Sequence, residues 1–126
     1  MSQFEGPYHE AILALMVASS EIRSRMDRTL SAVGLTNEQF NILRILRGAQ
    51  PAGHPCGEIG DRMIDRSPDI TRRIKALAKQ GFVTRERSTT DRRVVNVAIT
   101  PKGLAALEQA VPLLEALEQA RSPPPD

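Results

Sequence analysis

Between Tyr8 and Val33 the apolar residues Ile12, Leu15, Met16, Ile22, Met26, Leu30 and Val33 return every three or four positions, with Arg and Glu between them. That spacing predicts a long amphipathic helix. Gly34 follows as a stop signal, and Thr36 with Gln39 forms a T-x-x-Q capping box that opens a second helix through Phe40, Leu43 and Leu46 to Gly48. Gln50 to Pro55 carries two prolines and a glycine and reads as a loop. A short helix is predicted from about Cys56 to Ile64, with Ile59 and Met63 on one face. Ser67-Pro68 then supplies an N-cap and an N1 proline, so a fourth helix is predicted from Pro68 to just before Gly81. Phe82 to Ser88 and Val94 to Ile99 read as two strands around the polar turn Ser88-Thr89-Thr90-Asp91-Arg92-Arg93. Thr100-Pro101 repeats the cap-plus-proline start and opens a fifth helix through Leu104, Leu107 and Val111. Pro112 should interrupt or kink it before Leu113, Leu114 and Leu117 continue the pattern.

The predicted fold class is mainly α with a small β-hairpin: a winged helix-turn-helix, with an added helix at each end for dimerisation. The expected division is an N-terminal helix at 1–34, the winged module at 35–100, and a shortened C-terminal helix with a proline-rich tail at 101–126. A chain of 126 residues has room for one main core. No internal repeat is visible.

Charge sharpens this picture. The net charge is only +2, but residues 62 to 93 hold ten basic side chains against four acidic ones. A basic centre between acidic arms points to a polyanion, although a solvated charged face would look the same. In a winged helix-turn-helix the second helix of the turn enters the major groove by its N-terminal residues, while the hairpin reaches the backbone or the minor groove. Taking Ile70 as the origin at about 100° per residue, Ile74 and Leu77 fall on its side, while Arg72 lies near ~200°, Lys79 near ~180° and Lys75 near ~140°. Pro68, Asp69, Arg72 and Ala76 are therefore the candidate groove residues, with Thr71 and Arg73 at the flanks, and Ser67 at the helix start is counted with the DNA-binding residues. Arg72 has the reach for a bidentate contact to guanine, and Lys75 and Lys79 read as phosphate contacts. At the hairpin tip Asp91 can hold an arginine of the Arg92-Arg93 pair for insertion into a narrow minor groove.

The remaining polar residues offer little to enzymatic, metal or redox chemistry. Glu58 and Asp61 lack any nucleophile or phosphate cradle beside them, so no catalytic site is expected. His54, Cys56 and Asp61 match no strong zinc pattern, and no metal or cofactor is expected. Cys56 lies at a predicted helix start, where a thiolate is favoured, but with no second cysteine it serves equally as a capping or packing residue. The single cysteine, the lack of a long apolar run and the absence of a signal-peptide layout in Met1 to Gly6 lead to a cytoplasmic, nucleoid-associated expectation with no membrane partner.

The segments LTNEQFNILRIL (35–46), SPDITRRIKALAKQGFV (67–83) and DRRVVNVAITPKG (91–103) together resemble the MarR family of bacterial transcriptional regulators. The resemblance covers roughly Ile12 to Leu114, and its most specific part is the D-x-R wing followed by a strand, Thr and a helix. It implies a homodimer on a pseudo-palindromic double-stranded DNA operator, acting as a repressor that a small lipophilic or phenolic effector, or thiol oxidation, releases. On this resemblance Pro68, Asp69 and Arg72 correspond to major-groove positions and Arg93, oriented by Asp91, to the minor-groove arginine. The family closes its dimer with the N-terminal helix and two long C-terminal helices, whereas this sequence ends in prolines about where the last would begin. Dimerisation is therefore expected to rest on Ile12, Leu15 and Met16 with Leu107, Leu114 and Leu117. The alternative is a winged-helix protein interaction module without direct gene control.

Overall fold

The computed structural model describes residues 6–63 and 69–121, with side chains as far as 117. Five helices and three short strands follow in the order α1 (Pro7–Ser31), α2 (Asn37–Gly48), β1 (His54–Pro55), α3 (Cys56–Arg62), α4 (Ile70–Lys79), β2 (Val83–Arg87), β3 (Val95–Ile99) and α5 (Pro101–Arg121). The predicted starts at Ser67 and Pro68 lie outside the described residues, and α4 is described from its N-cap residue Asp69.

The turn between α1 and α2 forms as its residues require. Gly34 takes a φ of 76°, which lets the Leu35 N–H reach back to the Leu30 carbonyl at 3.1 Å and turns Leu35 into the core. Both halves of the capping box close: the Gln39 N–H donates to Thr36 Oγ1 at 3.1 Å, and the Thr36 N–H to Gln39 Oε1 at 3.2 Å. The Asn37 N–H, a further unpaired donor of the first turn, is taken by Asp27 Oδ1 of α1 at 3.0 Å.

One hydrophobic core runs through every layer. Ile42, Leu43 and Leu46 of α2 meet Ile59 of α3, Ile74 and Leu77 of α4, Val97 of β3 and Leu107 and Ala110 of α5. The apolar face assigned to α4 is thus its buried face. Gln80, just past α4, ties this core to the first turn: its Nε2 donates to the Gly34 carbonyl at 3.2 Å, while its Oε1 accepts from Gln39 Nε2 at 3.1 Å.

Two expectations are corrected. The 50–55 segment is not all loop, because His54 and Pro55 pair antiparallel with Val97 and Asn96, making a three-stranded sheet in the order β1-β3-β2. A two-residue strand with a proline carries no alternation, so its pairing depends on the partner rather than on its own pattern. Asn96 adds to it by donating from Nδ2 to the Ala52 carbonyl at 2.7 Å. Pro112 does not interrupt α5 either: the helix is continuous from Pro101 to Arg121. The proline occupies the exposed side, while Leu107, Ala110 and Leu114 on the other side hold the helix to the core across the missing hydrogen bond.

The amino-terminal half of α1 is different. Tyr8 is 87% exposed and Leu15 70%, and Ile12, Met16 and Val17 are also open to solvent, whereas the helix joins the core at Leu30. Leu107, expected to help pair two chains, has no exposed surface and belongs to the core of its own chain. Its 3.6-residue pattern is the same for either role, so periodicity could not separate them. Leu114 and Leu117 are half-buried.

Candidate nucleic-acid interface

The solvent-facing side of α4 carries Thr71, Arg72, Lys75 and Lys79, all exposed. Arg72 is 80% exposed and its Nη2 donates to Asp69 Oδ2 at 3.2 Å. A spacing of three places two side chains on one helix face, so this pair is legible in the sequence. Arg73 behaves otherwise. It is turned onto Glu38 of α2 and forms an ion pair there, with 30% of its side chain exposed. That pair joins the two helices behind the reading face, and nothing in the spacing along the chain foretold it.

The hairpin tip is built by its own hydroxyl and carboxylate groups. Ser88 Oγ accepts from the N–H groups of Thr90 and Asp91, both at 3.2 Å, and the turn closes through Ser88 N–H to the Val94 carbonyl at 2.8 Å and Val94 N–H to the Asp91 carbonyl at 3.0 Å. Arg87 donates to the Arg92 carbonyl, bracing the far side. Within this frame Asp91 grips Arg93 three times: Oδ1 accepts from the backbone N–H at 3.1 Å and from Nε at 3.2 Å, and Oδ2 accepts from Nη2 at 3.4 Å. The fork fixes the root of a side chain that is 91% exposed. The Arg93 guanidinium, and then its backbone N–H, hold the Asp91 carboxyl below the usual carboxylate value, with burial opposing weakly. Arg92 is exposed beside it.

The wing and α4 face a common space. An open cleft of about 500 Å³ is lined by Thr71 of α4, by Arg85, Arg93 and Val95 of the wing, and by Glu58 and Asp61 of α3. Arg85 could not be selected from the chain alone, because an arginine in a strand shows neither its face nor its neighbour. His54 Nδ1 meets Glu58 Oε2 at 3.3 Å, and Arg62 meets the same oxygen at 3.4 Å. Cys56 is half-buried against the core. Among the described residues no three His, Cys, Asp or Glu side chains gather as a metal site, and no helix is long and apolar enough to cross a membrane.

A helix pair with a solvent-facing cationic second helix, followed by an arginine-tipped hairpin on the same cleft, defines a winged helix-turn-helix of the DNA-binding class. Residues 35–95 match the model of the MarR family. The chain is 35% identical to a MarR transcription factor from Planctomyces limnophilus, with a TM-score of 0.80 over 93% of this chain and 85% of that one. It therefore belongs to the MarR family. It is also 28% identical to the Mycobacterium tuberculosis transcriptional regulator MosR, solved in complex with DNA, with a TM-score of 0.70 over 89% of this chain and 82% of that one. The transcriptional repressor YetL of Bacillus subtilis is 31% identical over 82% of this chain, which spans 62% of YetL. These relatives are regulators of transcription rather than enzymes, and they disfavour the reading as an interaction module without gene control.

Proposed function

We propose that this chain is a transcriptional repressor that binds a pseudo-palindromic operator in double-stranded DNA as a homodimer. The observation that carries the proposal is the shared cleft: Thr71 in the first turn of α4 and Arg93 of the wing fork line one space, so a single duplex can meet both elements. Arg72 is assigned to base edges in the major groove, with Ser67, Pro68 and Asp69 beside it, and Arg93 to the minor groove. Lys75, Lys79, Arg85 and Arg92 are assigned to phosphates, with Thr71 at the flank, whereas Arg73, held by Glu38, is left out of the reading face. Two reading heads are needed because one meets too few base edges. The exposed Ile12, Leu15 and Met16 of α1 are the surface available for pairing, with Leu114 and Leu117 of α5. The site of action is the cytoplasm, at the nucleoid.

Release by a small lipophilic or phenolic effector is part of the same proposal. It is supported by two adjoining grooves of about 340 and 360 Å³ between α1 and α2, which share Arg23, Asn37 and Asn41 and offer apolar walls at Leu15, Ile22, Met26 and Leu35. The deciding experiment is a salt titration of binding to promoter duplexes by the wild-type chain and Arg93→Ala. Affinity should fall steeply with salt, and the variant should bind the operator about tenfold or more weakly. A flat salt response, or an unchanged Arg93→Ala, overturns the proposal.

A further inference from the structure

Asp69 stands at the N-cap of α4, yet its carboxylate caps none of that helix's backbone N–H groups. An aspartate at this place ordinarily accepts from the second or third amide of the helix. Here it accepts from Arg72 Nη2 at 3.2 Å instead. The wing repeats the arrangement, with Asp91 holding Arg93. Each arginine assigned to the bases therefore has an aspartate on its N-terminal side.

A carboxylate on a surface made for a polyanion repels phosphate and weakens binding to arbitrary DNA. In the major groove that same carboxylate can only accept hydrogen bonds. Cytosine offers the N4 amino group as a donor and adenine its N6 amino group beside the N7 acceptor, while guanine O6 and N7 and thymine O4 are acceptors that repel it. The guanidinium it holds has the opposite preference, because its fork matches guanine O6 and N7. A pair of this kind favours a guanine beside a cytosine and disfavours sites that present acceptors to Asp69.

We propose that Asp69 is a specificity-determining residue, orienting Arg72 onto a guanine while accepting from the N4 amino group of a neighbouring cytosine and penalising guanine and thymine at that position. This rests on the DNA-binding reading above. The two effects of the carboxylate have opposite signs, which makes the proposal easy to expose. Asp69→Asn keeps a good N-cap residue and removes the charge, so the fold should persist, as an unfolding curve would show. Binding is then compared on a site selected from a randomised duplex pool and on a duplex of arbitrary sequence. The expected result is roughly two- to fivefold tighter binding to the arbitrary duplex, from the loss of one repelling charge. The ratio of selected-site to arbitrary affinity should drop about tenfold, with base preference flattened at two adjacent positions. An unchanged ratio, or a parallel loss of affinity on both duplexes, overturns the role of Asp69. A wild-type chain with no site preference and no salt dependence would overturn the DNA-binding reading itself.

Discussion

Gly103 offers the sharpest test of how the wing is joined to α5. Its N–H donates to Thr100 Oγ1 at 3.0 Å, in the capping arrangement that Thr100-Pro101 predicted. A Cβ built on it would lie 2.2 Å from the Phe82 carbonyl oxygen and 2.9 Å from Ile99 Cγ1. That oxygen already accepts from the Thr100 N–H at 3.0 Å, and Thr100 Oγ1 donates to the Gly81 carbonyl at 2.6 Å. Backbone therefore has to move, since no flexible side-chain tip can yield in its place. Gly103→Ala gains up to about 1 kcal/mol of helix propensity. Against it stand overpacking at about 1–3 kcal/mol and the weakening of one or two hydrogen bonds at about 1 kcal/mol each. The net effect is a loss of about 1–4 kcal/mol, or a fall of roughly 1 M or more in the urea midpoint at an ordinary denaturant slope. Gly48→Ala is the matched control, because that glycine ends α2 with nothing within 4 Å of its Cβ position. It should leave the midpoint unchanged or raise it. The reasoning is refuted if Gly103→Ala is as stable as wild type, or if the two alanines cost the same.

Two other perturbations separate roles that the sequence merged. Leu107→Ala should cost about 2–5 kcal/mol of protomer stability, as expected for a fully buried leucine, whereas Met16→Ala should spare the urea midpoint and weaken self-association in sedimentation. Asp91 has a folded pKa depressed below its ordinary 3.8, so its fork is complete above that value and is lost as pH falls through the lower, folded one. The Arg93 Nε–H resonance should therefore hold steady between roughly pH 5 and 9 and move only in more acid solution. Movement near neutrality would show that another group controls the wing.

Where the sequence could be read, a local rule was sufficient. The capping box of Thr36 and Gln39, the positive-φ turn at Gly34, the buried face of α4 and the Asp91–Arg93 fork all depend on residues within a few positions of one another. The misreadings involve partners distant in the chain. β1 exists because of Val97 and Asn96, and α5 passes Pro112 because Leu107, Ala110 and Leu114 are held by the core. Arg73 is turned away from the reading face by Glu38, which lies on another helix. A charge along the chain gives the sign of a surface but not which of its cations have internal partners.

That distinction sets the size of the salt effect. Of the ten basic residues between 62 and 93, Arg62 pairs with Glu58, Arg73 with Glu38, and Arg87 is committed to the Arg92 carbonyl. Arg66 lies outside the described residues. With Arg72 and Arg93 assigned to bases, the exposed Lys75, Lys79, Arg85 and Arg92 remain for phosphates. At about 0.9 per phosphate neutralised, these four give a slope of log affinity against log salt near −3.6 per protomer, or roughly −7 for a dimer on one operator. If every basic residue of the segment contacted phosphate, the dimer slope would be roughly −18. A measured value near the larger figure would mean that the Glu38 and Glu58 pairs open on DNA and that the reading face is not preformed. A value near the smaller one would mean that the acidic partners on α2 and α3 set aside part of the positive charge before DNA arrives, leaving the remaining cations to bind it.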